Sequence, residues 1–177
     1  FKSVYQALNE KVRLISNNHI RFKFPRNIHF ECSRCALCCR DTENRSRTIL
    51  LLRREAEKIS GKIQKSIVEF AERKEGVEPY VYVMRKTSDG KCVFLKDNLC
   101  TIYEMRPLIC KFYPFKLDNL GNHKYVFNYT QECPGIGSGP QLKRKFFDTL
   151  FVEFTASMRQ NHLQRNNIPL RYQLAQG

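Results

Sequence analysis

Four cysteines packed into eight residues constrain this chain more than any other feature. Cys32, Cys35, Cys38 and Cys39 read C-x2-C-x2-C-C. Cysteines two residues apart in a tight loop can aim their sulfurs at one centre, which is why metal sites use this spacing. Three at that spacing also match the opening ligands of the bacterial ferredoxin run, in which Pro follows the Cys that ligates another cluster. Cys133-Pro134 supplies a distant Cys-Pro here. With Cys92, Cys100 and Cys110 the chain holds 8 cysteines among 177 residues, too few for a small disulfide scaffold.

Eight thiolates make two sites of four. Cys38 and Cys39 are adjacent, so their side chains are expected to diverge and serve one site each. That expectation assigns Cys32, Cys35, Cys38 and Cys133 to a first site and Cys39, Cys92, Cys100 and Cys110 to a second, with a single site plus spare thiols as the alternative. Three chemistries compete for the thiols. Zinc needs closed four-thiolate sites. Iron–sulfur clusters, one or two and of the 4Fe-4S type, need the same ligands. Disulfides need an oxidising compartment, and the first residues, Phe1-Lys2-Ser3-Val4, are not an export signal, which points to the cytoplasm.

The formal charge is +14, and residues 1–40 and 141–177 together carry +10 of it. A four-thiolate site holding zinc, or a cluster with a 2+ core, is formally −2, so two sites would absorb part of the excess. The basic ends are the part that calls for an acidic partner such as RNA. Arg34, Arg40, Lys91 and Lys111 adjoin cysteines and are candidates for lowering thiol pKa values. No apolar run is long enough to span a bilayer.

Patterning predicts an α+β fold: a small cysteine-ligated core of short strands at 30–139, flanked by N-terminal, middle and long C-terminal helices in one domain, 1–177. Val4, Leu8, Val12 and Ile15 recur at helical spacing. Ile20 to Phe24 alternates as a strand closed by Pro25. Arg47 to Leu52 reads as a buried strand, and Arg53 to Lys74 as helix broken at Gly61. Tyr80 to Lys86 and Lys91 to Leu95 read as a hairpin about Asp89-Gly90, and Asp97-Asn98 turns the chain again. Lys124 to Tyr129 reads as the last strand, and 134–140 as a turned link. Pro140 opens the final helix, whose stripe of Phe146, Phe147, Leu150, Phe151, Phe154 and Met158 marks a buried face.

The segment Phe30-x-Cys32-x2-Cys35-x2-Cys38-Cys39-Arg40 resembles the opening motif of the YkgJ-type cysteine-cluster family. Cys92-Val93-Phe94-Leu95 and Cys100-Thr101-Ile102-Tyr103-Glu104-x-Arg106-Pro107-x2-Cys110 resemble its second half. Tyr113-Pro114-Phe115 and Cys133-Pro134-Gly135-x-Gly137 resemble its close. The family often carries Gly after the second Cys, where this chain has Ala36. The resemblance implies a zinc- or iron-chelating domain. Flagellin lysine methylases carry a similar cysteine pattern, which raises a cluster-dependent modification enzyme.

Pro107 stiffens the approach to Cys110, and Arg106 is positioned to brace the ligand loops with Tyr103 and Glu104 as partners. His19, His29, His123 and His162 form no metal-pair spacing, and neither a Walker loop nor a dinucleotide fingerprint is present. The leading expectation is an iron–sulfur protein in electron transfer, or a redox accessory to a partner enzyme. Its rivals are a zinc-stapled basic module for RNA or an acidic protein surface, and the modification enzyme.

Overall fold

The computed structural model describes residues 21–166. The helix expected over Val4–Ile15 lies outside them. The architecture is α+β, with short helices and small sheets arranged around two hydrophobic cores.

The first core is aromatic. Residues 124–129 (KYVFNY) alternate in burial, as a strand with one covered face must, and Phe127 is buried. This strand pairs antiparallel with Phe115–Asn119 and parallel with Arg21–Lys23. The long helix Arg144–Asn166 lies across the sheet. Its stripe packs as predicted, with Phe147, Leu150 and Phe151 buried. Phe24 stacks on Phe147 at 4.9 Å between ring centroids and Phe22 on Phe151 at 5.0 Å. The fully buried rings of Phe147 and Phe151 each contribute about 1.5–3 kcal/mol by leaving water.

The second core is aliphatic. Leu50–Leu51 pairs antiparallel with Tyr82–Met84, which pairs in turn with Ala71–Arg73. The helix Arg53–Ile63 covers this sheet through Ala56 and Ile59, both fully buried. At its start Glu55 Oε2 accepts from the Leu52 N–H at 2.8 Å.

Four sequence expectations are corrected. The Arg53–Lys74 helix does not break at Gly61. It continues to Ile63 and stops at Gln64, whose backbone is left-handed (φ 56°). A one-turn helix Ile67–Phe70 follows, and residues 71–73 are strand because Phe70 and Ala71 are drawn into the core beside Met84. Lys91–Leu95 is not a continuous return strand. Cys92 donates its N–H to the Cys39 carbonyl at 2.7 Å and Lys91 bridges to Arg40, so the hairpin keeps the isolated Lys86–Cys92 bridge and a few backbone bonds such as Val93 N–H to Arg85 O at 3.2 Å. The ladder forms one turn later, between Leu95–Lys96 and Leu99–Cys100, around Asp97 and Asn98, both at positive φ.

Residues 134–140 are not a free link, and Pro140 does not open the final helix. Ile136–Gln141 is an irregular strand against His29–Phe30, and the helix starts at Arg144. A bulged pairing tolerates a proline without an N–H to donate. The strand Phe115–Asn119 was not foreseen, because the prolines before it masked its alternation.

Candidate metal centre

The C-x2-C-x2-C-C loop is shaped from within and clamped from outside. Arg34 and Ala36 both take left-handed backbone (φ 55° and 60°). This is the physical reason a glycine suits the residue after the second Cys, since a side chain at that position carries a steric cost. Ala36 closes a turn by accepting the Cys39 N–H at 2.9 Å. Three arginines then hold the loop's carbonyls. Arg40 Nη2 donates to Cys35 O at 3.1 Å, Arg45 Nη2 to Leu37 O at 2.8 Å and Arg47 Nε to Cys38 O at 3.2 Å.

Other elements bring the remaining cysteines to this loop. Cys92 comes by its bond to Cys39 O, and Asp41 N donates to Gly90 O at 3.0 Å beside it. The 95–100 hairpin delivers Cys100. The helix Leu108–Phe112 carries Cys110, and its first N–H, from Leu108, donates to Glu55 Oε1 at 2.6 Å. Cys133 arrives on a chain that presses against Glu31. A Cβ on Gly135 or Gly139 would drive into Glu31, so both glycines are needed for that approach.

All eight cysteines line one cavity of about 640 Å³. Phe30, Ile49, Met84 and Ile102 supply apolar wall, and Arg34, Tyr103, Arg106 and Tyr113 polar wall. Cys92 and Cys133 are buried, whereas Cys32 is exposed. The exposed side chains of Leu99 and Tyr103 stand among the lining residues. Among the described residues, no three Cys, His, Asp or Glu side chains meet closely enough to hold a metal ion as they stand. The thiols ring a shared space.

The adjacent cysteines do not diverge as expected. Their sulfurs lie 3.5 Å apart, on one side of the loop. Hydrogen bonding from Cys39 brings the Cys38 thiol down to about 6, helped by the Arg47 and Arg106 guanidiniums, and Cys39 is driven up in return. Burial pushes Cys92 up to about 11 and Cys110 up to about 12, and it also raises Cys100 and Cys133. The electrostatic neighbours fall into two groups. Cys133 senses Cys35, Cys32 and Cys38, whereas Cys39, Cys92, Cys100 and Cys110 sense one another and Cys38. Cys38 is where the groups meet.

Arg106 stands in the cavity wall with its guanidinium 3.8 Å from the centre of the Tyr103 ring. Glu104 is exposed and lies outside that wall. Of the cations adjoining cysteines in sequence, Lys91 pairs with Asp89 and Lys111 with Glu153. The arginines missed by sequence reasoning are Arg45 and Arg47, and Arg47 is the one whose charge reaches the thiols. A turn bridging Thr42 and Arg45 folds it back onto Cys38, and no spacing rule signals that.

Soft thiol donors from five separated stretches, gathered on one cavity by arginine-clamped loops, define a metal-chelating cysteine-cluster domain. The chain belongs to the family CxxCxxCC, described as "Putative zinc- or iron-chelating domain", which it matches over residues 31–134. It is 29% identical over 135 residues to "Uncharacterized protein MJ0661" of Methanocaldococcus jannaschii, covering 72% of this chain and 69% of that one. No solved structure matches.

Proposed function

We propose that the thiols hold an iron–sulfur cluster and that the protein serves in electron transfer, or as redox accessory to a partner enzyme. The observation that carries this reading is eight cysteines around one cavity of about 640 Å³. A single zinc ion bonded to four sulfurs at about 2.3 Å needs those sulfurs closed tightly about one point. A cluster is larger and takes thiolates spread around it, which suits a ring of donors. Its supply to the site would be one-electron chemistry.

The electrostatic grouping supports the division expected from sequence: Cys32, Cys35, Cys38 and Cys133 on one side, Cys39, Cys92, Cys100 and Cys110 on the other. The short Cys38–Cys39 separation makes that pair the shared edge of two sites. The chain's own residues shape the environment. Arg106, stacked on Tyr103, places positive charge beside Cys38 and Cys100. The buried thiols of Cys92 and Cys133 share the cavity with the apolar wall. Exposed Leu99, Tyr103 and Cys32 in the lining leave the cavity within reach of a redox partner.

Anaerobically purified full-length protein is expected to be brown, with iron and acid-labile sulfide in comparable amounts. Colourless protein carrying stoichiometric zinc overturns the iron–sulfur reading and keeps the chelating one.

A further inference from the structure

Behind the cysteine loop lies a group of buried polar atoms that make no hydrogen bond of ordinary geometry. Arg47 Nη2 and Tyr113 Oη are buried without a hydrogen-bond partner, and so is Arg45 Nε. Buried donors are almost always paired, so unpaired ones call for an explanation such as an ion. The Tyr113 ring is flanked by both guanidiniums, with Arg47 Cζ at 5.1 Å and Arg45 Cζ at 5.8 Å from its centroid.

The two arginines differ in what balances them. Arg45 forms an ion pair with Glu132. Arg47 has no carboxylate on its guanidinium among the described residues, although its backbone N–H donates to Asp41 Oδ1 at 2.6 Å. Its Nε holds the Cys38 carbonyl, and its charge reaches the thiols of Cys38 and Cys110, favouring the thiolate of each. Tyr113 lines the cavity; burial raises its pKa, the Arg45 guanidinium beside its hydroxyl draws it back, and Cys133 and Cys38 are further electrostatic neighbours. A partly buried cation without a counter-charge, beside thiols that become anionic on binding metal, is half of an electrostatic match.

We propose that Arg47 and Tyr113 are positioning residues for the metal–thiolate group, Arg47 balancing its negative charge and both donating hydrogen bonds toward its sulfurs. This rests on the proposed chelating function and gives a role to two residues besides the cysteines. Groups in this role typically change metal affinity by about 10- to 100-fold when removed.

The test compares Tyr113→Phe, Arg47→Gln and Arg47→Lys with the unmodified full-length chain, loaded anaerobically with iron and sulfide and, in parallel, with zinc. Metal retention is read by titration with a competing chelator, and thermal midpoints are measured after stripping the metal. Tyr113→Phe is expected to retain metal about tenfold less well, while its stripped form melts no lower, because the hydroxyl it loses makes no hydrogen bond of ordinary geometry. Arg47→Gln is expected to lose about tenfold or more, with Arg47→Lys in between because it keeps the charge and loses the fork.

Metal held as tightly by Tyr113→Phe and Arg47→Gln as by the unmodified chain overturns the inference and leaves the chelating function standing. A Tyr113→Phe chain whose stripped form melts lower overturns it too, since that marks a merely structural role. An unmodified chain that takes up neither metal overturns both. Should Arg47→Gln not fold, Arg47→Lys and Tyr113→Phe decide the matter by the same readings.

Discussion

Gly135 shows how much one missing side chain can position. Its backbone packs against Glu31, whose N–H donates to Gly135 O at 3.2 Å, and this contact sets Cys133 near Cys32. Gly135→Ala forces a methyl group into the Glu31 backbone. The expected cost is about 1–3 kcal/mol, as for other overpacked sites. It should appear as a lower thermal midpoint together with fewer metal equivalents per chain. Glu55 acts at the same scale. Its two oxygens accept from Leu52 N–H and Leu108 N–H, tying the Arg53–Ile63 helix to the helix that carries Cys110. Burial raises its pKa against the pull of those two bonds. A carboxyl raised in the folded state favours folding least when ionised. Its contribution is therefore fullest below the ordinary carboxylate range and declines as pH rises through the raised value. Glu55→Gln is expected to flatten that decline in denaturant melts at a series of pH values. Glu55→Ala strands both donors and should cost about 2 kcal/mol at neutral pH.

The elements are short, and their ends carry the information. The Arg53–Ile63 helix runs through Gly61, which is exposed and has nothing within 4 Å of where a Cβ would stand. Gly61→Ala is therefore expected to stabilise the protein by about 0.5–1 kcal/mol, measured by urea unfolding. A break at Gly61, as the sequence suggests, would make the change neutral or harmful. The contrast shows the limit of reading glycine as punctuation. Gly61 weakens the helix without ending it, whereas Gln64 ends it because a backbone turn is needed before Ser66 restarts the chain. The long final helix was legible from its phenylalanine stripe, yet its start was not. Pro140 fits a first helical turn just as well as it fits the bulged strand that claims it.

Across the whole molecule, the cysteine cavity lies between two cores that share no buried residue. Ile49, Met84 and Ile102 of the aliphatic core line it, as do Phe30 and Phe146, which pack on the aromatic core. Metal bound there would link the two sides. Because each core buries large side chains of its own, stripping the metal is expected to lower the thermal midpoint while leaving a cooperative transition. Calorimetry before and after anaerobic chelation measures this, and a chain that loses its transition altogether would show that the metal is required for folding.

The cysteine spacing, the aromatic stripe and the strand Lys124–Tyr129 were readable along the chain because each is a local pattern: loop reach, helical period or alternation. The family followed from the same local motifs. The placing of Arg47 behind Cys38, the shared side taken by Cys38 and Cys39, and the use of 136–141 as strand were not readable. Each depends on which distant backbone accepts a hydrogen bond, as Cys39 O does from Cys92, and on which surfaces must be covered once the cores form. Spacing along a chain records which residues can reach a common point. Only packing selects the neighbours that set the charge there.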